Sequence, residues 1–303
     1  VKTPPEYAAR LDAWARRLGA RVEGARYPRP EARGEACAVR LLPRTPARMR
    51  VLVAHGAGND AVFPLLELFG ALLDAGCEVF SFDVDGHGCG STTVFAPDTV
   101  RTAVGAAADA AEQGRPPLPL HVVGHSLGGS LVLDALAGGA LDGRVVSAAV
   151  VSAPTDVRLG ARTVVGELRG FFRRATLAQR RHYGWWGLVP AFGPVKRAAY
   201  PFRRTDADGR AWSYVDAVRR LLAEMRLGER VASITVPTLL VYSHADTIAP
   251  HAQGEALATR MKGAGRNLRS LRTATHYGVP FDAETVAAVV GWIGETQRTA
   301  EAA

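Results

Sequence analysis

Apolar residues fall along this chain in two rhythms. From Pro5 to Gly19 they recur at Tyr7, Leu11, Trp14, Ala15 and Leu18, the spacing of a helix that buries one face. Beyond it they come in short runs at Cys37–Leu42, Arg50–Ala54, Glu78–Phe82, Leu120–Val123 and Val145–Val151. Helical patterns separate these runs, at Phe63–Ala75, Thr99–Glu112 and Ser130–Leu136. Strands that are apolar throughout are buried on both faces. Alternating with helices, they predict a parallel sheet covered on both sides.

The alternation stops near Pro154. From there to Thr238 only helical patterns occur, among them Val164–Phe172 and Trp212–Met225, with aromatic residues at Trp185, Trp186 and Tyr200. It resumes with strand Thr238–Tyr242, helix Ala252–Met261, strand Leu268–Thr273 and helix Glu284–Ile293, and the Ala-rich tail after Trp292 reads as frayed. The expected fold class is α/β. A core made of residues 1–155 and 234–303 is interrupted by a helical cap at 156–233.

Composition narrows the function. The apolar fraction of 48% over 303 residues is ample for a buried core. Cys37, Cys77 and Cys89 are too few and too scattered for a disulfide framework or a zinc spacing. No apolar run reaches the length of a membrane span. The N-terminal pattern lacks the apolar stretch of a secretory leader, so the expected location is the cytoplasm.

The net charge of +8 is concentrated in one place. Residues 157–233 hold 16 Lys and Arg against 6 Asp and Glu, a surplus larger than that of the whole chain. A basic cap is first of all a solvated surface. It also suits an acidic acyl-carrier protein, an acidic substrate or an anionic lipid surface. No nucleic-acid-binding motif accompanies the charge, so no nucleic-acid partner is expected.

The chemistry centres on Gly124-His-Ser-Leu-Gly128, which follows the run Leu120–Val123 and opens a helix. A serine on so tight a strand-to-helix turn projects its hydroxyl, and the helix that follows aims amide groups at the reaction centre. Ser126 is therefore the expected nucleophile. It needs a positioned base. His276 lies on the loop after the last predicted strand, at the carboxyl end where open parallel sheets bind ligands; His244 and His251 are rivals. Asp246, just past strand Thr238–Tyr242, is the expected acid that orients the base, with Asp156 as its rival. The order Ser126, Asp246, His276 is that of the α/β-hydrolases. Oxyanion donors are expected at the amides of Leu127 and of Ala57 in the turn His55-Gly-Ala-Gly58.

With these residues the chain resembles the monoglyceride lipase, lysophospholipase and serine aminopeptidase-like branch of the α/β-hydrolases. The resemblance rests on His55-Gly-Ala-Gly58, Asp83-Val-Asp-Gly-His-Gly-Cys-Gly-Ser91, the Gly-His-Ser-Leu-Gly elbow, Asp246 and His276. It implies a mostly parallel sheet with helices on both faces and a cap that roofs the site. The second loop holds an extra residue before Ser91, which predicts a different path; Cys89 there is read as a packing residue or a redox-sensitive thiol.

The expected activity is hydrolysis of a carboxylic ester or thioester through an acyl-serine. Acyl transfer or cyclisation with water excluded is the alternative, and a ligand sensor that keeps the triad is a third reading. Trp185, Trp186, Phe171 and Tyr214 are candidates to line an apolar acyl pocket, besides packing within the cap. The histidines and aspartates lack ligand spacing, so no metal and no cofactor is expected.

Overall fold

The computed structural model describes residues 11, 14–62, 65–92, 94–157, 163, 165–167, 169, 170, 214–261 and 266–303. Eight strands form one sheet: β1 (Arg21–Arg29), β2 (Gly34–Leu42), β3 (Met49–Ala54), β4 (Cys77–Phe82), β5 (Leu120–His125), β6 (Val145–Val151), β7 (Thr238–Ser243) and β8 (Arg266–Leu271). Their order is β1-β2-β4-β3-β5-β6-β7-β8. The pairs β1/β2 and β2/β4 are antiparallel, and all pairs from β4 through β8 are parallel.

The parallel strands β3, β4, β5 and β7 are buried at every position, as their apolar runs require. Successive side chains alternate between the two faces. Leu52, Phe80, Phe82 and Val122 pack on one side, with helices α2 (Ala103–Glu112), α3 (Leu127–Ala137) and α5 (His251–Arg260). Val51, Val53, Val79 and Val123 pack on the other, with Leu11, Trp14, α1 (Leu66–Asp74) and α6 (Ala283–Ala302). Helix α4 (Tyr214–Met225) buries Ala217, Val218, Leu221, Leu222 and Met225 in the first of these cores.

The structure departs from the sequence reading at both ends. Strand β1 was not expected. It is an edge strand that leaves Arg21, Arg26 and Pro28 exposed, so it has no apolar run to announce it. At the other end, α6 continues to Ala302 and is not frayed after Trp292. Trp292 Nε1 donates to Ala148 O (2.9 Å), and Gln297 reaches into the sheet to His121 Nε2 (3.1 Å). Strand β8 lies at Arg266–Leu271, two residues earlier than the apolar pattern suggested.

Candidate active site

Strand β5 ends at His125 and α3 begins at Leu127, so Ser126 makes the turn alone. Its φ of 54° and ψ of −123° put a residue with a side chain in a sparsely populated region, a strain of about 1–3 kcal/mol that survives only where the surroundings dictate it. The Ser126 amide donates to Val151 O of β6 (2.9 Å), and Ser126 O accepts the first helical bond from Ser130 N (3.1 Å). Strand, neighbouring strand and helix thus hold the serine from three directions.

The loops that follow β7 and β8 bring the other two residues to it. Asp246 Oδ1 accepts from the amides of Ile248 (2.9 Å) and Ala249 (2.8 Å), which leaves Oδ2 for His276 Nδ1 at 2.9 Å. A carboxylate at Nδ1 selects the tautomer with the proton there, so Nε2 is left as the acceptor. His276 Nε2 stands 2.8 Å from Ser126 Oγ. All three side chains are buried.

Electrostatics follow from that geometry. Burial pushes the Asp246 carboxyl up, but the charge and hydrogen bond of His276, with the Ala249 amide, outweigh it and hold the group below the ordinary carboxylate value. Burial pushes His276 down, but the charge and hydrogen bond of Asp246 and then the charge of Glu167 outweigh it and raise the imidazole above its ordinary value. The His125 ring lies 5.4 Å from that of His276. Burial and the nearby His276 drive it down to about 3, so it stays neutral near pH 7.

The other predicted residues fall as follows. The His55-Gly-Ala-Gly58 turn abuts the serine: a Cβ on Gly56 would lie 3.0 Å from Ser126 Cβ. His55 ties this turn to the loop after β4, its Nε2 accepting from Val84 N at 3.0 Å. Ala57 follows Gly56 in this turn, and Leu127 is the first residue of α3, where the amides lack intrahelical partners. His244 and His251 stack on each other at 3.9 Å, and His251 Nε2 is 2.7 Å from Ser270 Oγ, away from Ser126. Asp156 is exposed, its carbonyl accepting from Gln253 Nε2. Trp185, Trp186 and Phe171 lie outside the described residues; Tyr214 opens α4, and its side chain lies outside them too.

Two features were not visible in the sequence. Glu167, in the segment after β6, is buried and bonded to both loops that carry Asp246 and His276. Its only sequence signal is isolation: it is the single acid between Asp156 and Asp206 in an arginine-rich stretch. Folding also brings Cys37, Asp83 and Cys89 together, their ligand-capable atoms within 4.8 Å of one another. Both Asp83 oxygens already accept from amides, Ala61 N and Cys89 N, each at 2.8 Å, so the carboxylate anchors the two loops that flank it. The loop with the extra residue is pinned to β2, with Ser91 N donating to Glu35 O (2.8 Å) and Ser91 Oγ accepting from Glu35 N (3.0 Å).

Residues 45–279 match the sequence model of the family described as serine aminopeptidase, S33, which covers most of the chain. The chain belongs to this family of hydrolases. The resemblance read from the glycine-rich loops and the elbow, to the monoglyceride lipase and serine aminopeptidase-like branch, is thereby borne out, as is the α/β-hydrolase fold. Solved structures share that fold at low identity. An esterase from Pyrococcus furiosus is 14% identical, with 94% of this chain and 93% of that one covered and a TM-score of 0.64. A monoglyceride lipase from Saccharomyces cerevisiae, a soluble variant in complex with a substrate analogue, is 16% identical (91% and 93% covered, TM-score 0.62). A monoacylglycerol lipase from Paleococcus ferrophilus is 20% identical (91% and 99% covered, TM-score 0.58). No curated protein matches the sequence significantly. Among the described residues of this hydrolase, no helix is long and apolar enough to cross a membrane.

Proposed function

We propose that this hydrolase cleaves carboxylic esters or thioesters through an acyl-Ser126 intermediate. The observation that carries the reading is the relay from Asp246 Oδ2 through the His276 ring to Ser126 Oγ, with steps of 2.9 and 2.8 Å, ending on a strained serine. His276 Nε2 takes the hydroxyl proton as Oγ attacks the substrate carbonyl. The resulting oxyanion is received by the amides of Ala57 and Leu127. Collapse breaks the bond to the leaving group, which departs with the proton from His276. A water molecule gives its proton to His276, attacks the acyl-serine and releases the acid, and Ser126 regains its proton. Asp246 holds the imidazole and balances its transient charge.

The names of the neighbours, esterases and monoacylglycerol lipases, favour an ester over a peptide bond. Residues 156–233 serve as the cap over the site in this reading. Support comes from Glu167, which reaches from that segment to the His276 loop. Fluorophosphonate labelling with p-nitrophenyl esters of increasing chain length tests the proposal. Wild type should label and turn over; Ser126→Ala should do neither. Full activity in Ser126→Ala would overturn the mechanism.

A further inference from the structure

One buried carboxylate joins the two loops on which the proposed triad depends. Glu167 Oε1 accepts from Thr247 N (2.8 Å) and Thr247 Oγ1 (2.6 Å), while its Oε2 accepts from His276 N (2.7 Å). Thr247 directly follows Asp246, so each oxygen serves one loop. The side chain is 2% exposed, where such bonds are stronger and their loss costs more than in water. Three turns of chain converge here. Asp246 is closed on its own side by Ile248 N and Ala249 N, so Thr247 N is free to point outward to Glu167. Gly170, one helical turn beyond Glu167, presses on the same loop: a Cβ there would lie 2.8 Å from Thr275 Cγ2. Residues 163, 165–167, 169 and 170 are helical.

We propose that Glu167 is a positioning residue that fixes the distance between Asp246 and His276 and couples both to the segment inserted after β6. The two oxygens of a carboxylate have a set separation, so the two loops cannot drift apart without breaking one of three hydrogen bonds. Neither the Ser126 reading nor the family membership requires such a group. The proposal rests on the triad reading and extends it.

Its charge acts as well as its shape. The groups that face His276 are Asp246 after β7, the Ser126 hydroxyl and His125 ring at the end of β5, Tyr277 on its own loop, and Glu167. Asp246 and Glu167 are the negative ones, and both favour the imidazolium. Glutamine at 167 removes the charge and has one acceptor where two are needed. Whichever way its amide is turned, one loop meets an NH2 group.

The test uses the full-length protein, with kcat expressed per fluorophosphonate-titratable site so that misfolded enzyme is not counted. In Glu167→Gln, kcat per site should fall at least about tenfold, the cost of losing a charge-assisted hydrogen bond, and the pH midpoint of kcat/KM should move down. Glu167→Asp should restore the midpoint toward wild type without full recovery of kcat, because charge returns but reach does not. Thr247→Ala, which removes one bond and no charge, should lower kcat several-fold at an unchanged midpoint, and it keeps the proposal testable if Glu167→Gln does not fold. Wild-type kcat per site and midpoint in Glu167→Gln, or wild-type kcat per site in Thr247→Ala, would overturn the positioning role. Ser126→Ala separates the two failures: if it is inactive while Glu167→Gln behaves as wild type, the triad reading stands and only this proposal falls.

Discussion

The α-carbon of Gly128 lies so close to the carbonyl of Ala54 that a Cβ on it would stand 2.2 Å from the oxygen. Helix α3 can therefore follow the serine only because its second residue has no side chain. Backbone is the obstacle, so no rotamer change relieves it.

Gly128→Ala should force α3 away from β3, with loss of fluorophosphonate labelling and a large fall in the urea midpoint. Gly291→Ala is the contrast. That glycine is exposed on α6 with nothing within 4 Å of the added Cβ, so alanine should stabilise by about 1 kcal/mol through helix propensity. Equal effects of the two substitutions would refute the packing argument.

The strained serine predicts a split between stability and activity. Ser126→Ala and Ser126→Gly should each lower turnover by about four orders of magnitude or more. Only glycine accepts φ of 54° without strain. The glycine variant should thus be the more stable of the two by about 1 kcal/mol, the strain relief less the extra chain entropy of glycine. Chemical denaturation of both variants measures this.

The base predicts a pH profile. His276 must be neutral to accept the serine proton, and its pKa is raised in the fold. The limb of kcat/KM should therefore rise through a midpoint above about 6.5, the value of a free histidine. The same shift sets a stability window. The contribution of a raised His276 is complete below about pH 6.5 and is lost as pH rises through its folded value. A profile with its midpoint below 6.5 would remove His276 from the role. His125, driven down to about 3, does not titrate in this range.

A buried ion pair beneath the glycine-rich loop gives a fourth prediction. Arg29 is fully buried and grips Asp85 with two hydrogen bonds, Nε to Oδ1 at 3.2 Å and Nη2 to Oδ2 at 2.6 Å. Asp85→Ala removes the buried counter-charge and leaves the guanidinium only the partly exposed Glu31 and the Thr99 and Thr102 oxygens, and should cost up to about 3 kcal/mol. The double variant Arg29→Met, Asp85→Leu should recover much of that loss. Urea unfolding of wild type and the two variants decides it.

Much of the architecture was legible in the chain because its signals are local. A strand buried on both faces has to be apolar along its length, so β3 to β7 appear as runs, and an elbow has to carry glycines two residues either side of its serine. The edge strand β1 was missed for the complementary reason: with one side toward water, its Arg, Glu and Pro residues carry no burial signal. The extent of α6 was missed as well, because Trp292 and Gln297 earn their order from partners on β6 and β5.

For the candidate site, sequence by itself determined the elbow around Ser126, a short set of histidines and aspartates at strand ends, and their order along the chain. It favoured His276 over His244 and His251, and Asp246 over Asp156, from their places after the strands, but all lie near carboxyl ends and no local signal brings one to another. Only the tertiary structure decided that His276 meets Ser126 and Asp246, and that Glu167, 80 residues before Thr247, closes the same site. The physical reason is range. Periodicity and turn chemistry act over a few residues, whereas a hydrogen bond is selected by where two distant segments come to rest when the sheet and its helices have packed.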